Sequence, residues 1–275
     1  MSPESLEMNG SRKDMPVLFV GHGSPMNAIE ENEFSLGWRE AAARLPRPKA
    51  ILCISAHWET RGSAVTSMEK PRTIYDFGGF PPELYRVVYP APGDPALARR
   101  VQGLFPEHSI IMDEKWGLDH GCWSVLRNMY PQADIPVVQL SLDHFLPAAG
   151  NYQLAKQLAP LRREGILILG SGNMVHNLGL LTLPTGRLSD FNEPYAFDWA
   201  IEASELFKSL ICERKHQELA DYTRLGEAVR LAVPTPEHYL PMLYALALQE
   251  PQETLTFFND KPLAGSLTMT SFTIA

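Results

Sequence analysis

The chain has 275 residues with 45% hydrophobic and 20% charged side chains, enough to bury a substantial core as one large α/β domain or two small ones. A net charge of −8 with scattered Lys and Arg excludes an extended phosphate-binding surface, so no nucleic-acid partner is expected. Cys53, Cys122 and Cys212 are odd in number and lack CxxC spacing, which excludes a disulfide framework or thiolate zinc site and points to a reducing, cytoplasmic compartment.

In chain order, residues 1–14 are polar and read as a flexible lead-in rather than a signal peptide, and residues 15–275 as one catalytic domain. The run Val17–Val20 is the first strand, stopping at Gly-His-Gly-Ser-Pro. "KAILCISAHWET" carries the second. In "PGDPALARRVQGLF", Asp94 can cap a helix, Pro95 suits its first turn, and Ala98, Val101 and Leu104 repeat at helical spacing. "HSIIMD" and "IPVVQLSL" are further strands. "NYQLAKQLAPLRREG" predicts a helix ending at Gly165 and kinked at Pro160. "ILILGSGN" is a strong strand, "PYAFDWAIEASELFKSLICER" an amphipathic helix, and "EHYLPMLYALALQ" a more buried one. The tail segments "TLTFFND" and "GSLTMTSFTI" read as strands. The alternation predicts an α/β fold: a central, largely parallel or mixed sheet with helices on both faces. In such folds ligands bind at the carboxyl ends of the strands. No apolar run approaches the ~20 residues that cross a bilayer, so no membrane association is expected.

The histidines fall non-randomly. His22 follows the first strand, His57 the second, and His176 the "ILILGSGN" strand, so three strand ends could bring three imidazoles into one crevice. His120, in "GLDHGCW", precedes an apparent helix, and His238, in "PTPEHYLP", stands at a helix start. Neutral imidazole is a common ligand for Zn, Fe and Cu. His108, His144 and His216 have no such context, and His216, in "ERKHQE", is expected on a solvated face. The sequence has no HExxH, no GxSxG and no phosphate-binding glycine loop. Cys122, two residues from His120, reads as a buried structural cysteine. The segment "IYDFGGFPPELYRVVYPAPGDP" places Tyr75, Phe77, Phe80, Tyr85 and Tyr89 around turn residues, as a packed surface loop or as the wall of a pocket for an aromatic ring.

From about Pro16 to the C-terminus the chain resembles the class III (LigB-type) extradiol ring-cleaving dioxygenases, most closely the 4,5-DOPA extradiol branch. The resemblance rests on "GHGSPMNAIE", "ISAHWET", "YDFGGFP", "LDHGCWSVL", "PVVQLSL", "GSGNMVHNL" and "PEHYLPM", in that order. It implies a mononuclear non-haem metal, Fe(II) for activity, acting with O2 on DOPA or a related catechol. It makes His22 and His57 ligands, His176 the acid/base group and His120 a contact to the substrate. Many extradiol enzymes use a glutamate as third ligand; here Glu237 and His238 adjoin, and the closer branch favours His238. Neighbours at a helix start point roughly 100° apart, so one of the two faces the site, and Glu237 in a first turn would serve the helix dipole. A nitrogen-rich site also takes Zn(II), with His176 drawn in as a fourth ligand. The alternatives are a zinc-dependent hydrolase using the same histidines and a non-catalytic metal-binding relative. The oligomeric state is left open.

Overall fold

The computed structural model describes residues 14–187 and 190–275; apart from Asp14, the expected lead-in lies outside them. Three fully buried apolar runs make the centre of the fold: β1 (Val17–Gly21), β2 (Ala50–Ser55) and, further along, the seven-residue strand Ile166–Gly172. Strands without a solvent face read as continuous apolar runs because helices cover both sides. After β2 come β3 (Glu59–Thr60), β4 (Ser63–Thr66), β5 (Ile110–Asp113), β6 (Val137–Gln139) and β7 (Leu142–Asp143), which makes Ile166–Gly172 β8. The chain closes with β9 (Leu255–Phe258), β10 (Pro262–Leu263), β11 (Leu267–Thr268) and β12 (Ser271–Ile274). The main sheet has the order β6-β2-β8-β1-β12-β9. Its first four strands are parallel, and β12 and β9 are antiparallel. The sheet is therefore mixed, with the tail strands supplying its antiparallel edge.

Side chains alternate across the sheet, so each strand feeds two cores. Val17, Phe19, Leu52, Ile54 and Ile168 belong to one, and Leu18, Val20, Ile51, Cys53, Leu167 and Leu169 to the other. The second core is covered by α1 (Glu33–Arg44) and by the helix His120–Met129. Asn32 starts α1: its side-chain oxygen accepts from the backbone N–H of Phe34 and Ser35, and the Ser35 hydroxyl accepts in return from the N–H of Asn32. Helix α2 (Pro95–Gln102) is capped by Asp94 as expected and joins the first core. His120–Met129 is thus α3, and its cap is the fully buried Asp119.

The remaining helices cover the first core: α4 (Ala148–Ala155), α5 (Ala159–Arg163), α6 (Asp198–Cys212), α7 (His216–Ala220), α8 (Glu227–Ala232) and α9 (Leu240–Leu246). The expected helix over 151–165 is not one kinked element. It is α4 and α5 joined by a 3-10 turn, Lys156–Leu158, with Pro160 in the first turn of α5, where its missing N–H costs no helical bond. Helix α9 begins two residues after His238, so His238 stands in the turn before the helix rather than at its start. No helix of the described residues is long and apolar enough to cross a membrane.

Candidate metal centre at the strand ends

The sheet register sets the site. Gly21 pairs with Gly172 and Ser55 with Ser171, so β1, β2 and β8 end at one level. His22 follows β1 directly, and its N–H donates to Gly172 O (3.1 Å). Ala56 N–H donates to Ser171 O (2.9 Å), and His57 is next in the chain. His238 arrives from α9's approach, where its carbonyl accepts from Asn173 N–H (2.9 Å). That approach requires glycine at 172, because a Cβ there would lie 2.1 Å from the His238 carbonyl oxygen. Glycine at 121 does the same for α3: a Cβ would lie 2.5 Å from Ser55 Oγ and 3.0 Å from the His57 ring.

The imidazoles of His22, His57 and His238 form a triangle whose centroid separations are each 5.0 Å, with interplanar angles of 50°, 51° and 89°. One nitrogen of each lies within 4.8 Å of the others. Nitrogens about 2.1 Å from one ion set imidazole centroids roughly 5 Å apart.

The outer partner of each ring decides which nitrogen is free. Ser171 Oγ donates to Gly121 O (2.6 Å), so it can only accept from His22 Nδ1 (3.0 Å). Asn173 Nδ2 donates to Thr268 O (2.8 Å), so Asn173 Oδ1 accepts from His238 Nδ1 (3.1 Å). His57 Nδ1 faces the carboxylate of Asp76 at 3.4 Å. In these tautomers all three Nε2 atoms carry lone pairs. Those of His22 and His57 stand 3.0 Å apart, an arrangement that a proton or a cation between them relieves. Three neutral imidazoles, two hydrogen-bonded at Nδ1 and the third with a carboxylate 3.4 Å behind it, are a donor set that fits Zn(II) or Fe(II).

The rings are held neutral. Burial, then the neighbouring histidines, push His22 and His238 well below the usual imidazole range. Burial and His120 push His57 down to about 3 against the opposing pull of Asp76, and burial and His120 push His176 down to about 4. These groups therefore need not lose a proton before binding a metal at neutral pH.

His120 and His176 flank the triangle differently. His120 lies 3.9 Å from the His57 ring, and its Nδ1 bonds Asp76 Oδ2 at 2.9 Å. His176 stacks on His238 with centroids 3.4 Å apart and planes within 6°. Lone pairs lie in the ring plane, so two parallel rings stacked this closely do not aim their nitrogens at a common point. Among the described residues the ring nitrogens of His176 have no hydrogen-bond partner, which leaves them free for a proton from a bound molecule.

Glu237 does not take the first-turn position expected of it, since α9 begins at Leu240; its carboxylate accepts from Thr235 Oγ1 (2.8 Å). It also stands within reach of His176 and His238, but outside the three-histidine triangle. Of the remaining histidines, His108 bonds Ser63 Oγ (3.1 Å), and His144 is exposed beside Glu59. His216 is not on a solvated face. It is 9% exposed, with Nδ1 3.3 Å from Tyr152 Oη, because the short α7 packs inward against α4.

Sequence reasoning missed Asp76, Ser171 and Asn173 as outer partners; the signal for Asp76 was its place inside the motif "YDFGGFP". The aromatic loop is packed onto the site. Phe77 meets His120 edge-on at 5.5 Å and contacts Phe80, Tyr85 and Trp123, while Tyr89 is buried away from them with its hydroxyl on Tyr130 O.

The family model described as the catalytic LigB subunit of aromatic ring-opening dioxygenase matches residues 16–256. The chain is 45% identical to a 4,5-DOPA dioxygenase extradiol of Escherichia coli (strain K12) over the whole of both chains. It is 41% identical to one of Beta vulgaris, covering 84% of this chain and 85% of the relative. A crystal structure of an uncharacterized protein from Escherichia coli K12 is similar with a TM-score of 0.81 and 42% identity, covering 95% of this chain and 100% of the other.

Proposed function

Because the chain belongs to the LigB family of ring-opening dioxygenases, we propose that it cleaves a catechol, DOPA or a close relative, with O2 at a mononuclear non-haem metal held by His22, His57 and His238. The observation that carries this reading is the triangle of imidazoles whose outer partners turn three Nε2 lone pairs inward. Fe(II) is the metal of the active form. Zn(II) binds such a nitrogen set at least as tightly and would occupy it in a purified sample.

When bound, the metal supplies Lewis acidity and a path for electrons between the two substrates. The chain supplies the rest. His176, stacked beside the triangle with free ring nitrogens, accepts a proton from a catechol hydroxyl and returns it to the opening product. Its place in a plane parallel to His238 favours this role over that of a fourth ligand. His120, bound through Nδ1 to Asp76, offers Nε2 to the substrate. Phe77, Phe80 and Tyr85 wall the aromatic side and keep water from the ring. Arg86 and Lys70 are exposed, and neither is assigned to a substrate carboxylate. The working compartment is the reducing cytoplasm, consistent with three free cysteines.

The test is oxygen consumption by protein loaded anaerobically with Fe(II), over a panel of catechols, with the product followed by its visible absorbance. Uptake of O2 coupled to a ring-opened semialdehyde is the expected result. Zinc-supported ester or amide hydrolysis with no O2 uptake under Fe(II) would overturn the reading in favour of a hydrolase.

A further inference from the structure

One carboxylate serves two of the site's histidines. Asp76 Oδ1 accepts from the backbone N–H of His120 (2.9 Å), and Oδ2 accepts from His120 Nδ1 (2.9 Å) while standing 3.4 Å from His57 Nδ1. Asp76 is well held for this task. Ile74 N–H donates to Leu118 O (2.7 Å), Leu118 N–H to Arg72 O (2.8 Å), Trp123 Nε1 to Ile74 O (2.8 Å) and Tyr75 Oη to Val87 O (2.7 Å). The residues just before the aspartate are thus tied to the segment that launches α3, to α3 itself and, through Tyr75, to Val87.

We propose that Asp76 is the positioning residue that holds His57 and His120 as a pair, fixing Nδ1–H in both so that both Nε2 atoms face the site from the aromatic loop's side. The affinity arm of this proposal rests on the metal reading above; the orientation arm does not. A carboxylate accepts at both oxygens, whereas an amide accepts at one and donates at the other. In Asp76→Asn, Oδ1 keeps the backbone N–H of His120 and the NH2 group then points at two Nδ1 atoms. Each imidazole must turn over its tautomer and move its proton to Nε2, which removes the inward lone pair. Shape and packing survive the substitution; the direction of the hydrogen bonds does not.

The same geometry explains why the aspartate lies beside Phe77. The loop that packs Phe77 on His120 also carries the carboxylate bound to His120 and facing His57, so the aromatic wall and the orientation of both imidazoles are set by one segment.

The experiment uses the full chain, wild type and Asp76→Asn, with His144→Ala as control and circular dichroism to establish folding. Imidazole nitrogen NMR of the metal-free protein reads the tautomer of His120, and Zn(II) titration against a chromophoric chelator reads affinity. We expect His120 to change from Nδ1–H to Nε2–H in Asp76→Asn, and Zn(II) binding to weaken by about 10–100-fold, with His144→Ala matching wild type. An unchanged His120 tautomer, or a Zn(II) affinity within about twofold of wild type, overturns the proposal. A wild-type chain that binds no Zn(II) or Fe(II) refutes the metal reading instead, and the tautomer of His120 then decides the role of Asp76 alone.

Discussion

At the scale of single residues the proposed ligand His238 and the adjacent Glu237 differ in what holds each side chain. His238 has Asn173 behind Nδ1, whereas Glu237 is engaged by Thr235. We expect His238→Ala to lose bound metal, because removing one of three donors costs several kcal/mol of binding, while Glu237→Gln keeps it. Elemental analysis of both folded variants checks this; retention in the first with loss in the second would restore a two-histidine, one-carboxylate set. His176→Ala should keep its metal and lose roughly 10²–10⁴-fold in turnover, and metal falling to background would instead make His176 a ligand. The candidate histidines were legible in the sequence because His22, His57 and His176 each follow an apolar run. Asp76 was not, because its position depends on pairing with a segment more than forty residues away. His216 was misread for a related reason: charged neighbours describe the exposed side of a short helix, and the inward side is decided by what packs on it.

At the scale of elements the decisive contact is β8 against α9. Helix α9 is buried on all sides, as a helix apolar around its circumference must be. Gly170 and Gly172 let it lie directly on the strand, where a Cβ would meet the carbonyls of Pro241 and His238 at 2.4 and 2.1 Å. The "GSG" of the sequence is therefore a close-approach surface that brings His238 across the sheet to His22 and His57. We expect Gly172→Ala to lower stability by about 1–3 kcal/mol and to weaken metal binding, since the backbone that must move is that of His238. Gly78→Ala, where a Cβ has open space, is the control. Thermal denaturation and chelator competition report the two effects, and wild-type values for both in Gly172→Ala would refute the role given to this contact. The strands of the main sheet were legible as apolar runs, and the long helix α6 because one-sided burial imposes a helical period on the sequence. The short helices α7 and α8 and the break at residues 156–158 were not, because a few residues carry no clear period and tertiary packing sets where they start.

At the scale of the whole molecule the buried histidines tie folding to pH. His57 is held at about 3 and His176 at about 4, chiefly by burial, and His22 and His238 are lowered in the same way. The unfolded chain takes up these protons near pH 6.5, and the folded chain refuses them until its lower values are reached. Above about pH 6.5 both states are neutral at these groups and the histidines give no pH dependence. Below it the unfolded state binds more protons, so stability falls as pH falls. Each histidine contributes at most about 1.4 kcal/mol per pH unit across its own window, so His57 and His176 together give at most about 3 kcal/mol per pH unit between pH 6.5 and 4. Asp119 opposes this: burial, then the charge of Asp76, raise its carboxyl, so its protonation relieves the folded state as acid is added. We expect urea unfolding of the metal-free protein to show little change from pH 7.5 to 6.5 and a steep loss of stability from 6.5 to 4.5. In His57→Gln/His176→Gln the slope over that interval should be visibly flatter, because two of the depressed groups no longer titrate. A metal-free protein equally stable at pH 6.5 and 5, or a double variant with the wild-type slope, would mean that these imidazoles are not held neutral by burial in the folded chain.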